Sequence, residues 1–351
     1  MTAGASASED PGAALAAEAG IVALAVPTPF LVGRVNCYLI DDDPLTLVDT
    51  GPNSGKSLDE LERALAAHGR RIEDLRRIVI THQHMDHLGL LEIVSRRSGA
   101  EVAALDRLAP YLGDFRASAT ADDAFAQAIM RRHGVPDDVA TVLAGVGAAF
   151  RAFGSSGTVS RPLRDGDRLE FRDRALEVLH RPGHSPSDTL FWDAERGLLI
   201  GGDHLLARIS SNPLVSRPLD GDGEQAGEDP SAPGTRPRAL ITYIESMKAT
   251  RALPARLVLP GHGPPIAEHA ALIDERLRMH ERRAAKILGL LRERPQSAYE
   301  LANTMWGNVA VTQAYLTISE VLGHLDLLIA EGLVAERDVA GSSHFEALGS
   351  R

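Results

Sequence analysis

The sequence predicts a layered α/β domain followed by a smaller domain of helices and a terminal hairpin. Short apolar runs of strand character alternate with amphipathic helix-length segments from residue 21 onward. Four of those runs lead within one to three residues into a histidine or an aspartate, where α/β sheets place their ligands. Beyond residue 275 the pattern changes to three helices and two short strands.

The elements follow in chain order. Residues 1–20 are rich in Ala, Gly and Ser and hold Glu9, Asp10 and Glu18 but no Lys or Arg. They read as a disordered tail, and the missing basic residues argue against a signal or transit peptide. Residues 21–27, 34–40 and 45–49 read as strands separated by Pro, Gly and Asp. A helix at 57–68 puts Leu58, Leu61 and Leu65 on one face and stops at Gly69. The strand 77–81 runs into a histidine cluster, followed by a helix at 87–97 and a strand at 101–105.

Residues 107–153 break the alternation. They read as helical, with Phe115, Phe125, Ile129, Met130, Val142, Leu143, Phe150 and Phe153 at apolar positions. Such an insertion reads equally as a helical pair packed on the core and as a lid over an apolar pocket. Strands resume at 168–171, 176–181, 189–193 and 197–201. Residues 218–237 are nearly devoid of apolar side chains and read as a mobile surface loop. A helix at 238–252 and a strand at 256–260 complete a domain spanning 21–270. The remaining 275–351 holds helices at 275–292, 298–305 and 312–330, then strands at 332–334 and 344–348. That is the order of a winged helix.

Composition removes several classes of function. The net charge is −11, from 37 basic and 48 acidic residues, which argues against a nucleic-acid or anionic-membrane partner. No apolar run reaches membrane-spanning length, so the expectation is a soluble cytoplasmic protein. Cys37 is the single cysteine, which excludes an intramolecular disulfide and a cysteine zinc site. Its apolar surroundings mark it as a small core residue rather than a nucleophile.

The chemistry lies in Thr81-His82-Gln83-His84-Met85-Asp86-His87. This segment sits between a strand and a helix, in a tight loop. His82 and His84 can converge on one ion while Asp86 and His87 turn to another. Imidazole and carboxylate suit Zn²⁺ at ~2.0–2.2 Å. His184 in Pro182-Gly183-His184-Ser185-Pro186, Asp203 in Gly201-Gly202-Asp203-His204 and His262 in Pro260-Gly261-His262-Gly263 each follow a strand, beside glycines that let the backbone come close. A lone histidine is more often a core or surface residue than a ligand. Four strand-end loops offering ligands together reverse that expectation. His180 and His204 stand outside this pattern and read as packing residues, and His68, His133, His269, His280, His324 and His344 as ordinary ones.

The pattern resembles the metallo-β-lactamase superfamily, marked by a His-x-His-x-Asp-His loop followed by His, Asp and His. The likeness runs from about residue 21 to about residue 270 and implies an αββα sandwich. It further implies two Zn²⁺ ions, with iron or manganese as alternatives. His82, His84 and His184 would hold the first metal and Asp86, His87 and His262 the second, with Asp203 bridging. Asp49, in Val48-Asp49-Thr50-Gly51, would steady the histidine loop without binding metal. True β-lactamases of this fold place a cysteine where Asp203 stands. Lactonases of the superfamily carry a tyrosine where Leu206 stands. Gly263-Pro264-Pro265-Ile266, His269, Arg276 and Arg283, leading into the winged helix, are similar to the lactamase-beta-2-like branch near the hydroxyacylglutathione hydrolases. That branch includes ribonucleases and thioesterases.

The resemblance implies a hydroxide held between the ions, oriented by Asp86 and Asp203, with Asp86 passing a proton to the leaving group. The expected substrate is a thioester or ester of a small-molecule or carrier-bound acyl group, drawn by the apolar insertion. The competing readings are an endoribonuclease acting on single-stranded RNA and a winged-helix nucleic-acid-binding module. Charge weighs against the binding module, while a basic run after the metal domain leaves RNA cleavage open. From Arg276 to Arg351 there are nine basic and nine acidic residues, and 312–330 contains no Lys or Arg. Arg276, Arg278, Arg282 and Arg283 form a basic run that reads as a solvated helix face. Apolar surfaces on the insertion and the winged helix leave room for a homodimer.

Overall fold

The computed structural model describes residues 11–219, 235–307 and 313–349. Strands β1 (Ile21–Val26), β2 (Val35–Ile40), β3 (Thr46–Val48), β4 (Arg77–Val79), β5 (Glu101–Leu105) and β6 (Arg161–Leu163) form one sheet in chain order. It is antiparallel from β1 to β3 and parallel from β3 to β6. Strands β7 (Arg168–Glu170), β8 (Ala175–His180), β9 (Thr189–Asp193), β10 (Leu198–Gly202) and β11 (Leu257–Pro260) form a second sheet in the order β11-β10-β9-β8-β7.

The alternation of side chains along each strand sorts residues into layers. Tyr38, Val48, Val79 and Ala103 of the first sheet meet Val178, Phe191, Ile200 and Leu259 of the second in a central core. On the far face of the first sheet, Leu39, Leu47 and Ile78 share a core with Leu61 and Leu65 of α2 (Gly55–Ala67) and Leu91 and Val94 of α4 (Leu91–Ser98). Ser54 caps α2 by accepting from the Ser57 N–H at 3.1 Å. Leu190, Leu199 and Val258, on the far face of the second sheet, pack on Tyr243 and Met247 of α8 (Ala239–Arg251) and Ile273 of α9 (His269–Glu293). The result is helix, sheet, sheet, helix, as expected.

Three expectations need correction. Residues 11–18 are not part of a disordered tail. They form α1 (Pro11–Glu18), whose Leu15 and Ala16 join the central core with Ala19 and Ile21. Residues 1–10, and 220–234 of the expected mobile loop, lie outside the described residues. The basic run on α9 is not one solvated face. Arg278 and Arg282 are exposed. Arg276 donates to the carbonyls of Leu206 and Ile209 at 3.4 and 3.3 Å, and Arg283 pairs with the buried Glu320.

The third correction concerns how the parts divide. The insertion consists of α5 (Ala109–Gly113), α6 (Phe115–Arg132) and α7 (Asp137–Phe150). Phe115 and Ala119 of α6 belong to the core under the first sheet. Two to three turns later, Phe125, Ile129 and Met130 join a different core. There they meet Ile287 of α9, Leu301 of α10 (Ala298–Trp306), and Ile318, Val321 and Leu325 of α11 (Ala314–Ala330). The insertion and the C-terminal segment therefore share one core across the boundary expected at 270–275. A small antiparallel sheet in the order β12-β14-β13 closes this unit, from β12 (Gln296–Ser297), β13 (Val334–Val339) and β14 (Ser342–Ala347). Every residue of α11 from Thr317 to Asp326 is buried. Among the described residues no helix is long and apolar enough to cross a membrane.

Candidate metal centre

Both sheets bring strand ends to one edge of the sandwich. There β3 ends in Asp49, β4 runs into the histidine loop and α3 (Met85–Leu88), β8 leads to His184, β10 to Asp203 and β11 to His262. Two backbone bonds stitch the sheets together at this edge. The Thr189 N–H donates to the Thr81 carbonyl at 3.0 Å, and the Asn36 N–H to the Gly261 carbonyl at 2.7 Å.

All seven side chains expected as ligands converge. His82, His84 and His184 bring donor atoms within 4.8 Å of one another, and so do Asp86, His87 and His262. His82, His87 and Asp203 form a third such group that joins the other two. Within the first triad, His84 Nδ1 lies 3.1 Å from His82 Nε2 and 2.9 Å from His184 Nε2. Within the second, His262 Nε2 lies 3.2 Å from Asp86 Oδ2. Asp203 reaches both. Its Oδ1 lies 3.5 Å from His87 Nε2, and its Oδ2 lies 3.7 Å from His184 Nε2 and 3.5 Å from His262 Nε2.

The back of each of four imidazoles is fixed. His82 Nδ1 donates to Thr81 Oγ1 at 2.9 Å, and that hydroxyl donates to Asp49 Oδ2 at 2.8 Å. His87 Nδ1 donates to the same Asp49 oxygen at 2.8 Å, and Asp49 Oδ1 accepts the Thr81 N–H at 2.9 Å. His262 Nδ1 donates to the Arg34 carbonyl at 2.7 Å and His184 Nδ1 to that of Asn212 at 3.1 Å. These bonds leave Nε2 of each ring facing the centre. Asp49 holds φ at +59°, a left-handed conformation that a short polar residue tolerates. Asp49→Asn offers one acceptor oxygen where three donors arrive. It is expected to weaken cation binding 10- to 100-fold, read by competition with a chelator.

The donor set fits divalent cations. His87 Nε2, Asp203 Oδ1 and His262 Nε2 are buried without a hydrogen-bond partner, a condition that costs about 1–3 kcal/mol per atom until something satisfies it. Burial, with His184 next, pushes His84 down to about 3, and burial with His87 and His84 pushes His82 well below its ordinary value. Both are therefore neutral imidazoles with a lone pair to give. Burial also works against protonation of His87 and His262. The facing carboxylates outweigh it, Asp203 foremost, and raise both. Protons compete with a cation at this second position, so its occupancy weakens as pH falls.

Residues the sequence did not single out complete the centre. The Gln83 N–H donates to Ser187 Oγ at 3.1 Å, and Ser187 Oγ donates to Gln83 Oε1, locking the histidine loop to the turn that bears His184. Asn36 Nδ2 donates to the carbonyls of Pro260 and Gly263, both at 2.9 Å, bracketing His262. His204 points away from the centre, its Nε2 sharing a hydrogen bond with Thr250 Oγ1 at 3.0 Å. His180 donates to the Pro186 carbonyl at 2.9 Å and steadies the same turn as Ser187. Cys37 is fully buried, and burial holds its thiol well above the ordinary value.

A sequence profile of the metallo-beta-lactamase superfamily matches residues 31–262. The chain belongs to the metallo-beta-lactamase superfamily. Its general chemistry is metal-dependent hydrolysis. The chain is 32% identical to the probable metallo-hydrolase YqjP of Bacillus subtilis over 93% of its own length and 98% of the relative's. It is 23% identical to a beta-lactamase-like protein 2 homolog of Caenorhabditis elegans over 91% and 85% of the two chains. The crystal structure of a metallo-beta-lactamase family protein from Thermus thermophilus superposes with a TM-score of 0.75 at 27% identity, covering 94% of this chain and 99% of that one. A beta-lactamase domain protein from Burkholderia ambifaria gives 0.73 at 25%, covering 93% and 92%. The likeness thus extends past the superfamily domain into the C-terminal unit.

Proposed function

We propose that this chain hydrolyses the thioester or ester of an apolar acyl group. The observation that carries this reading is an aromatic wall next to the histidine loop. Phe30, from the loop between β1 and β2, lies 5.4 Å from the ring of Phe150 and 6.0 Å from that of Phe153. Phe153 closes the helical insertion, and its carbonyl accepts the N–H of Asn53, two residues after the Val48-Asp49-Thr50-Gly51 turn. All three rings are half-buried, and Leu31 beside them is exposed. An acyl chain needs such a wall, with few polar groups.

Two divalent ions, zinc by the chemistry of the donors, would supply water acidified to near-neutral pKa and polarise the carbonyl. The chain's own part is orientation and proton handling. Asp203 aligns the two triads against each other. Asp86, whose Oδ2 lies 3.2 Å from His262 Nε2, would carry a proton to the departing thiol or alcohol.

We read the C-terminal unit as a winged helix in a structural role. Its α11 has neither Lys nor Arg, and burial from Thr317 to Asp326 leaves no face to enter a groove. The test is thiol release from acyl-thioesters of increasing chain length. The expected result is release by the zinc-loaded wild type, with Phe150→Ala lowering kcat/KM for long chains about tenfold, the equivalent of roughly two buried methylenes. Absence of release from every thioester would sink this reading and turn attention to single-stranded RNA.

A further inference from the structure

The segment 204–219 follows Asp203 and behaves as a strap between the metal centre and the C-terminal unit. Near its start, Arg276 of α9 donates to the carbonyls of Leu206, Ala207 and Ile209 at 3.3–3.5 Å. Further on, Val215 is fully buried in the core shared by the insertion and the C-terminal helices. Its N–H donates to Ser319 Oγ at 3.3 Å, and its carbonyl accepts the Tyr315 hydroxyl, both on α11. Arg217 reaches Asp122 of α6 at 2.9 Å.

Asn212 lies between these anchors and faces both ways. Its carbonyl accepts from His184 Nδ1 at 3.1 Å, and its side-chain Nδ2 donates to the Leu316 carbonyl of α11 at 3.2 Å. The contrast with the other histidines is informative. His82 and His87 are backed by Thr81 and Asp49, and His262 by Arg34, all within the αββα domain. Among the described residues, His184 alone of these four takes its partner from a segment fastened to the C-terminal unit.

We propose that Asn212 is a positioning residue for the metal held by His82, His84 and His184, and that α11 sets this position through it. The Asn212 carbonyl fixes the His184 tautomer with the proton on Nδ1, and the amide fixes the carbonyl on α11. The assignment rests on the two-position metal reading above. It gives the C-terminal unit a task in the hydrolase that requires no nucleic acid.

The experiment is a Zn²⁺ titration against a chelator on the full-length protein, with His184→Ala and His262→Ala marking which ion belongs to which triad. Asn212→Ala keeps the backbone carbonyl that accepts from His184 and removes only its tether to α11, so it is expected to weaken the His184 ion up to about tenfold and leave the His262 ion within about twofold. Ser319→Ala combined with Tyr315→Phe keeps Asn212 but loosens the strap, and is expected to weaken the same ion. General unfolding would weaken both ions alike, so the selectivity is the deciding readout. Wild-type affinity for both ions in Asn212→Ala, or equal weakening of both, would overturn the assignment. A wild type that binds fewer than two ions would instead overturn the two-position reading, and this assignment with it.

Discussion

Asp203→Ala is expected to lower turnover about 10³-fold or more, roughly 4 kcal/mol of transition-state stabilisation, and to cut bound metal from two ions to one or fewer. Each triad supplies three donors, and a four-coordinate zinc asks for a fourth. Asp203 would supply that fourth donor to an ion at either position. Oδ1 faces His87, and Oδ2 faces His184 and His262. Burial alone would raise its carboxyl, but His262 and His87 overcome that and hold it well below the usual carboxylate range. The positive character of those two imidazoles favours the charged carboxylate. Asp203→Asn keeps the shape and one acceptor oxygen but loses the charge, so its metal content should fall between wild type and Asp203→Ala. Metal analysis alongside thioester turnover checks the pair. Full activity in Asp203→Ala would contradict a shared carboxylate.

The centre was legible in the sequence because each donor follows a strand, and strand ends of one sandwich edge must lie close together. Gly183, Gly202 and Gly261 beside those donors reinforced the reading. What surrounds the donors was not legible. Asn212 sits in Ser210-Ser211-Asn212-Pro213, a stretch that looks like any loop. Its partners His184 and Leu316 are 28 and 104 residues away. The helix α1 escaped because eight residues rich in Ala are marginal as an isolated helix, and only packing beneath β1 decides the matter. The inward turn of Arg276 and Arg283 was available in principle. At 3.6 residues per turn they share a face with Ile273, His280 and Ile287, all buried. The core shared by α6 and α11 has no local trace, since Ile129 and Ile318 lie far apart in the sequence with most of the sandwich between them.

Gly261→Ala is expected to cost the protein its metal and about 10²-fold or more of its turnover while leaving the fold in place. A Cβ at Gly261 would lie 2.2 Å from Asp203 Oδ1 and 2.8 Å from His87 Cε1, where no real side chain fits. The backbone is not free to retreat. The Gly261 N–H donates to the Gly202 carbonyl at 2.6 Å, and its carbonyl accepts the Asn36 N–H at 2.7 Å. The new methyl must therefore displace the two donors that face each other across the second position. Overpacking of this kind costs ~1–3 kcal/mol, well short of unfolding a domain of this size. Gly263 provides the contrast two residues on. It holds φ at +79° with nothing within 4 Å of a Cβ, so Gly263→Ala strains the backbone by about 1 kcal/mol but intrudes on nothing. Thermal melts and metal analysis should separate the two: Gly263→Ala melts lower and keeps both ions, whereas Gly261→Ala loses them. If Gly261→Ala retained both ions at wild-type affinity, the close approach of β11 to Asp203 would play no part in shaping the centre.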